Sequence, residues 1–110
     1  VPFDSAMLQQ AFLNLHLNAA DAMAEGGILT IRTRWEEAKR QAVVEIADNG
    51  SGIGEESLPH LFNPFFTTKK YGTGLGLSQV KKIIDLHRGS IEILSRKDEG
   101  TRVIITLPLP

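Results

Sequence analysis

The chain contains no cysteine. That excludes disulfides, thiolate metal sites and a cysteine nucleophile, and it is compatible with a cytosolic setting. No apolar run approaches the ~20 residues that a membrane span needs. No basic-then-apolar leader opens the chain, so no signal peptide is expected. No glycine-lysine-serine/threonine triplet occurs, so the Walker A phosphate loop is absent. Neither sign of charge dominates: 12 Lys and Arg stand against 13 Asp and Glu, a net charge of −1. Their scatter argues against a dedicated nucleic-acid or membrane surface. There is no internal repeat and no low-complexity segment.

What is present suits one modest core. The 110 residues are 42% hydrophobic, which predicts a single domain over residues 1–110. The chain starts at Val1 and not Met, so it is expected to be excised from a longer protein. Asp4 or Ser5 can cap a helix running to about Met23. Its apolar residues Leu8, Phe12, Leu15, Ala19 and Ala22 recur at three- and four-residue steps. Gly26-Gly27 ends it. Ile28 to Arg34 and Ala42 to Asp48 alternate as strands, joined by a charged connection from Trp35 to Gln41. Trp35 with Glu36-Glu37 fits either a partner surface or a solvated turn with a packed indole. Glu55 to Leu61 reads as a short helix, and Phe62 to Gly74 as a long loop. Leu75 to His87 is a second amphipathic helix, packing through Leu77, Val80, Ile84 and the Leu86 side. Ser90–Arg96 and Thr101–Leu107 are strands joined at Lys97-Asp98-Glu99-Gly100. The order predicts a two-layer α/β sandwich with a largely antiparallel sheet.

Four clusters could carry chemistry. Asn14 and Asn18 are four apart on one helix face. They are either surface asparagines or amides whose oxygens face a hard cation or a phosphate. Asp48-Asn49-Gly50-Ser51-Gly52-Ile53-Gly54 puts an acid at a strand end before a glycine-rich turn. It is a plain tight turn, or a place where backbone closely approaches a flat ligand. An EF-hand fails for want of the spaced oxygen ligands. Gly72-Thr73-Gly74-Leu75-Gly76-Leu77 runs directly into a helix, where backbone N–H groups bind phosphate well. A Rossmann turn fits poorly, because a lysine-rich loop precedes it. Finally, Leu61-Phe62-Asn63-Pro64-Phe65-Phe66-Thr67-Thr68-Lys69 puts three phenylalanines in one loop. They anchor it on the core, or they belong to a hinged lid whose Lys69 and Lys70 face a polyphosphate.

Taken together and in this order, the four clusters resemble the superfamily of gyrase, Hsp90, MutL and the histidine kinases. Asn14 to Ala19 looks like its N box, Asp48 to Ile53 its G1 box, Phe62 to Phe66 its F box and Gly72 to Leu77 its G2 box. Gly100-Thr101 matches the family's final glycine-threonine. The F box and the Gly74-Leu75-Gly76-Leu77 form are similar to the histidine-kinase branch, near the nitrogen-regulatory type. The resemblance implies an α+β fold of the Bergerat type. In it a mixed, mostly antiparallel sheet is covered on one face by about three helices, with a mobile ATP lid over roughly residues 55–74.

The resemblance also implies roles. Asp48 accepts a hydrogen bond from the adenine amino group, and Gly52 lets the base pass the backbone. Asn18 ligates Mg²⁺, with Asn14 beside the phosphates and grouped with it at the metal. Gly74, Leu75 and Gly76 offer N–H groups, and Lys69 reaches the distal phosphate. Asn14 and Lys69 are the catalytic candidates. Gly50, Ile53, Phe62, Thr73, Leu77 and Thr101 complete the nucleotide contacts. The implied function is donation of the γ-phosphoryl group of Mg-ATP to a histidine on a separate helical dimerisation domain, and from there to a response regulator. The parent is then a homodimer, cytoplasmic in this part and free to carry an anchor elsewhere. Nucleic acid and direct membrane contact are not expected. His16, His60 and His87 lack the acceptor pattern. Alternatives are a hydrolytic ATPase or a serine kinase of the same fold, or a docking module with a decayed site. Hydrolytic relatives carry a glutamate where Asn14 stands, and an amide is no base near neutral pH.

Overall fold

The computed structural model describes residues 4–23, 25–63 and 76–108. Helix α1 spans Ser5–Ala22. Asp4 caps it in an extended conformation, its carboxylate accepting the Met7 N–H at 3.1 Å. Ala11, Leu15 and Ala19 form its buried stripe. The two alanines in that stripe let the helix lie close to its neighbours, while Met7, Leu8 and Phe12 pack at its margins.

Strands β1 (Leu29–Glu36) and β2 (Gln41–Asp48) form a hairpin longer than the sequence suggests. Trp35, Glu36 and Gln41 pair across it, leaving a four-residue turn at residues 37–40. Arg40 takes φ of 50° there. The indole of Trp35 is 45% exposed and donates to the Glu37 carboxylate, so it is not a packed indole. Beside it the Gln41 amide holds the Glu36 carboxyl below the usual carboxylate range, aided by the charge of Arg34.

The expected helix over Glu55–Leu61 contracts to a 3₁₀ turn, Leu58–His60. Pro59 has no N–H to extend it. Helix α2 runs Gly76–Leu86, followed by β3 (Ser90–Arg96) and β4 (Gly100–Pro108). Strand order is β1-β2-β4-β3, and every pairing is antiparallel, so no parallel pair occurs among the described residues. Among the described residues two α-helices and the 3₁₀ turn accompany the sheet.

Both helices lie on one face of the sheet. Ala11 and Leu15 of α1 meet Val80, Ile83 and Ile84 of α2 over Ile46, Val103, Ile105 and Leu107. Leu86, expected to pack, is 51% exposed, and Ile83 holds the buried position instead. A helix turning 3.6 residues per turn cannot put residues 83, 84 and 86 on one narrow face. Ile84, Ile105 and Val80 are the largest fully buried side chains. Ile84→Ala should therefore cost about 2–5 kcal/mol, the range for a cavity at a fully enclosed site. Urea unfolding of the two chains checks this.

His87 ties the helices together. It is buried, its Nε2 accepts the Asp4 N–H at 2.9 Å and its Nδ1 donates to the Ile83 carbonyl at 2.8 Å. Both ring nitrogens thus serve structure, with the proton on Nδ1.

Candidate functional site

The inner face of the sheet is apolar until its last row. On β2, Val44 and Ile46 lead to Asp48; on β4, Ile105 and Val103 lead to Thr101; on β3, Ile91 and Ile93 lead to Ser95. Alternation puts each polar residue on the same side as the apolar pair before it. Register makes them neighbours: Asp48 pairs with Thr101, and Thr101 with Ser95. All three are half-buried. A polar row in that place needs partners, since unpaired polar groups under a core are costly.

The loop after Asp48 is held on three sides. Asp48 Oδ1 accepts the Gly50 N–H at 2.8 Å, turning the chain at once. Asn49 Oδ1 accepts the Ile28 N–H at 2.8 Å, joining the loop to the start of β1. Ser51 N–H reaches the Ala22 carbonyl at 3.0 Å, and a Cβ on Gly50 would lie 2.4 Å from that same oxygen. The third clamp is the β3–β4 turn, where Asp98 N–H meets the Ser51 carbonyl at 2.6 Å. Gly52 has φ of +70°, and a Cβ there would stand 1.9 Å from the Arg96 carbonyl. Its freedom is thus required by the protein's own β3–β4 turn. Gly100, with φ of +125°, likewise brings β4 close to the Asp48 carbonyl, 2.2 Å from a built Cβ.

Ser95 connects this loop to the polar row. Its Oγ accepts the Ile53 N–H at 2.8 Å, lies 2.9 Å from the Gly100 carbonyl and 2.8 Å from Thr101 Oγ1. Sequence reasoning singled out Asp48 and Thr101 but missed Ser95. The signal was available: an alternating Ile91-Ile93 run places a serine where a third apolar residue is due.

On α1, Asn14 and Asn18 flank the buried stripe and are half-buried. Asn14 Oδ1 accepts from Gln10 Nε2 at 3.3 Å, and its Nδ2 is buried with no hydrogen-bond partner among the described residues. A buried donor left unpaired costs about 1–3 kcal/mol. Asn18, one turn on, has a partner of its own. His16 bonds back to the Phe12 carbonyl at 2.7 Å. Phe62 is half-buried beside the buried Leu61, and Leu77 packs against the core from the first turn of α2. Gly76 opens that helix, and among the described residues nothing lies within 4 Å of a built Cβ. Lys69, Thr73, Gly74 and Leu75, with most of the expected lid, lie outside the described residues.

A carboxylate and a hydroxyl thus stand side by side at the end of the sheet, and the neighbouring helix carries an amide donor with no partner among the described residues. Among the described residues no group of three His, Cys, Asp or Glu could hold a metal. A hard cation here would therefore depend on amide oxygens and on a ligand's own oxygens, as Mg²⁺ commonly does.

A family model described as histidine kinase-, DNA gyrase B- and HSP90-like ATPase matches residues 3–110. The chain belongs to this ATPase family. Among curated relatives, sporulation kinase D of Bacillus subtilis is 45% identical over 102 residues, 93% of this chain and 20% of that protein. Sensor histidine kinase ZraS of Escherichia coli O157:H7 is 37% identical over 106 residues, 96% of this chain and 23% of that protein. The chain thus spans 20% and 23% of the length of these relatives. Among solved structures, the catalytic domain of histidine kinase ThkA superposes with a TM-score of 0.84 at 38% identity, covering 98% of this chain and 70% of that one. The mycobacterial sensor histidine kinase MprB gives 0.86 at 31%, covering 98% and 76%. The family's two-layer sandwich is the fold described above, and the family match runs through the Asn14–Asn18 face, the Asp48 loop and Thr101 alike.

Proposed function

We propose that the chain is the ATP-binding catalytic domain of a two-component sensor kinase. It binds Mg-ATP and presents the γ-phosphoryl group to a histidine on a separate helical dimerisation domain, which passes it to a response regulator. The observation that carries this reading is the pairing of Asp48 with Thr101 at one end of the sheet, with an Asn14 Nδ2 on the adjoining helix that has no partner among the described residues. An amine-bearing base suits the first, and a phosphate oxygen suits the second.

Asp48 selects the base. Its Oδ1 is taken by Gly50, and its second oxygen remains an acceptor for the adenine amine. Guanine presents a carbonyl oxygen at that position, and two facing acceptors leave a half-buried charge unpaired. Asn14 donates its orphaned N–H to phosphate, and Asn18 supplies an oxygen to the metal. Lys69, Thr73 and the amides of Gly74, Leu75 and Gly76 hold the phosphates. Gly50, Gly52 and Ile53 shape the base pocket, flanked by Phe62 and Leu77. Mg²⁺, when bound, neutralises phosphate charge. Phosphoryl transfer requires little beyond such alignment and neutralisation.

Kinase is favoured over hydrolase at Asn14, because an amide does not activate water. His87 is buried with both nitrogens engaged, and His16 is bonded to its own helix, so neither is placed as an acceptor. Incubated with labelled Mg-ATP, the chain should take up no label and hydrolyse ATP very slowly. Adding the parent's dimerisation domain should label that domain. Rapid hydrolysis would favour the gyrase-like alternative, and transfer to a serine-bearing partner alone would favour a serine kinase of this fold. No described helix is long and apolar enough to cross a membrane. The proposed setting is cytoplasmic, within a homodimeric parent.

A further inference from the structure

The hydrogen bonds around Ser95 fix where one proton goes. Its Oγ carries a single hydrogen. The Ile53 N–H can only donate, so toward Ile53 the serine oxygen accepts. The Gly100 carbonyl can only accept, so the serine hydrogen points there. With that hydrogen committed, the 2.8 Å contact between Ser95 Oγ and Thr101 Oγ1 is a hydrogen bond only when Thr101 is the donor. The Thr101 hydrogen is then turned toward β3, away from Asp48. What Thr101 offers toward Asp48 and the space beside it is a pair of lone pairs.

We propose that Ser95 is a specificity-determining, positioning residue of the nucleotide site: by holding the Thr101 hydrogen it makes Thr101 and Asp48 two adjacent acceptors that together require an amine-bearing purine edge. This rests on the nucleotide reading above and goes beyond it, because a threonine hydroxyl free to rotate is indifferent to the base. Unpartnered, it donates to a carbonyl as readily as it accepts from an amine. Asp48 alone rejects guanine through one contact, whereas the fixed pair rejects it through two. The ligand class is a 6-aminopurine nucleotide, with 6-oxopurines disfavoured. Ser95 need not touch the ligand to do this; it acts through Thr101.

The test is calorimetric titration of Mg-ADP and Mg-GDP into the chain and its variants. Ser95→Ala should lower the preference for ADP over GDP by about tenfold, chiefly by tighter GDP binding, with ADP affinity changed by no more than about threefold. Ser95→Thr keeps the hydroxyl and should keep the preference. In a Thr101→Val background there is no hydroxyl to reorient, so adding Ser95→Ala should leave the ADP/GDP ratio unmoved. A general loosening of the Ile53 loop would lower the ratio equally in both backgrounds, and that result overturns the proposal. So does a Ser95→Ala chain that keeps the full preference while Mg-ADP still binds. Should the alanine variant not fold, Ser95→Cys keeps the volume with only a weak donor and acceptor, and the same outcomes apply. If neither nucleotide binds the unsubstituted chain, the nucleotide reading itself falls and this inference with it.

Discussion

Replacing Asp48 with alanine should weaken Mg-ADP binding about 100-fold, the upper range for losing a hydrogen bond to a charged, half-buried group. Two consequences of that substitution need separating. The carboxylate oxygen proposed to receive the ligand disappears, and so does Oδ1, which accepts the Gly50 N–H and starts the loop. Asp48→Asn distinguishes them. The amide oxygen can still accept from Gly50, so the turn should hold. The other half of the side chain becomes a donor, facing the adenine amine with the wrong polarity. Asp48→Asn should therefore retain the unfolding midpoint of the parent and still lose most of the affinity for Mg-ADP. Calorimetry with urea unfolding alongside gives both numbers. An asparagine variant that binds Mg-ADP as well as the parent would mean that position 48 serves the turn alone.

Gly52→Ala should be nearly as damaging, by a different route. The new methyl group would lie 1.9 Å from the Arg96 carbonyl, a backbone atom that cannot swing aside. The φ of +70° adds strain for any residue with a Cβ. Together these should cost about 2–4 kcal/mol of stability, or force the loop away from the β3–β4 turn. In the second case the Asp98–Ser51 and Ile53–Ser95 hydrogen bonds break. Amide exchange at Ile53 and Asp98 would report it, with Mg-ADP affinity falling in parallel. Gly76→Ala is the contrast. Among the described residues nothing lies within 4 Å of its built Cβ, and alanine favours the helix it opens. It should leave stability unchanged or raise it by up to about 1 kcal/mol. Equal losses at Gly52 and Gly76 would show that glycine matters at both only as a flexible joint.

These substitutions also mark what the sequence made legible. The helix over Ser5–Ala22 and the four strands follow from periodicity, because a stripe repeating every three or four residues and an alternation of two have few other solutions. Asp48 and Thr101 stand in the recognised motifs, and the strand register then sets them side by side at one end of the sheet. The setting of Gly52 was not. A glycine after a strand signals close approach to something, and only the fold reveals that the Arg96 carbonyl occupies that side. Ser95 was hidden for a related reason: it pairs with a residue six positions away and bonds to one 42 positions away. Leu86 misled because an apolar residue at a helix end is as easily turned to solvent as to the core. The length of the β1–β2 hairpin was underread because Trp35, Glu36 and Gln41 resemble turn composition, yet cross-strand pairing extends through them.

In the proposed nucleotide site the Asp48 carboxylate, with Thr101 beside it, receives the amine of an adenine nucleotide. Competition between Mg-ADP and Mg-GDP for the unsubstituted chain addresses it most directly. The expected result is binding of Mg-ADP with Mg-GDP at least about 100-fold weaker, the penalty for facing a carbonyl toward a half-buried carboxylate. Comparable affinity for the two nucleotides would mean that Asp48 does not receive the adenine amine.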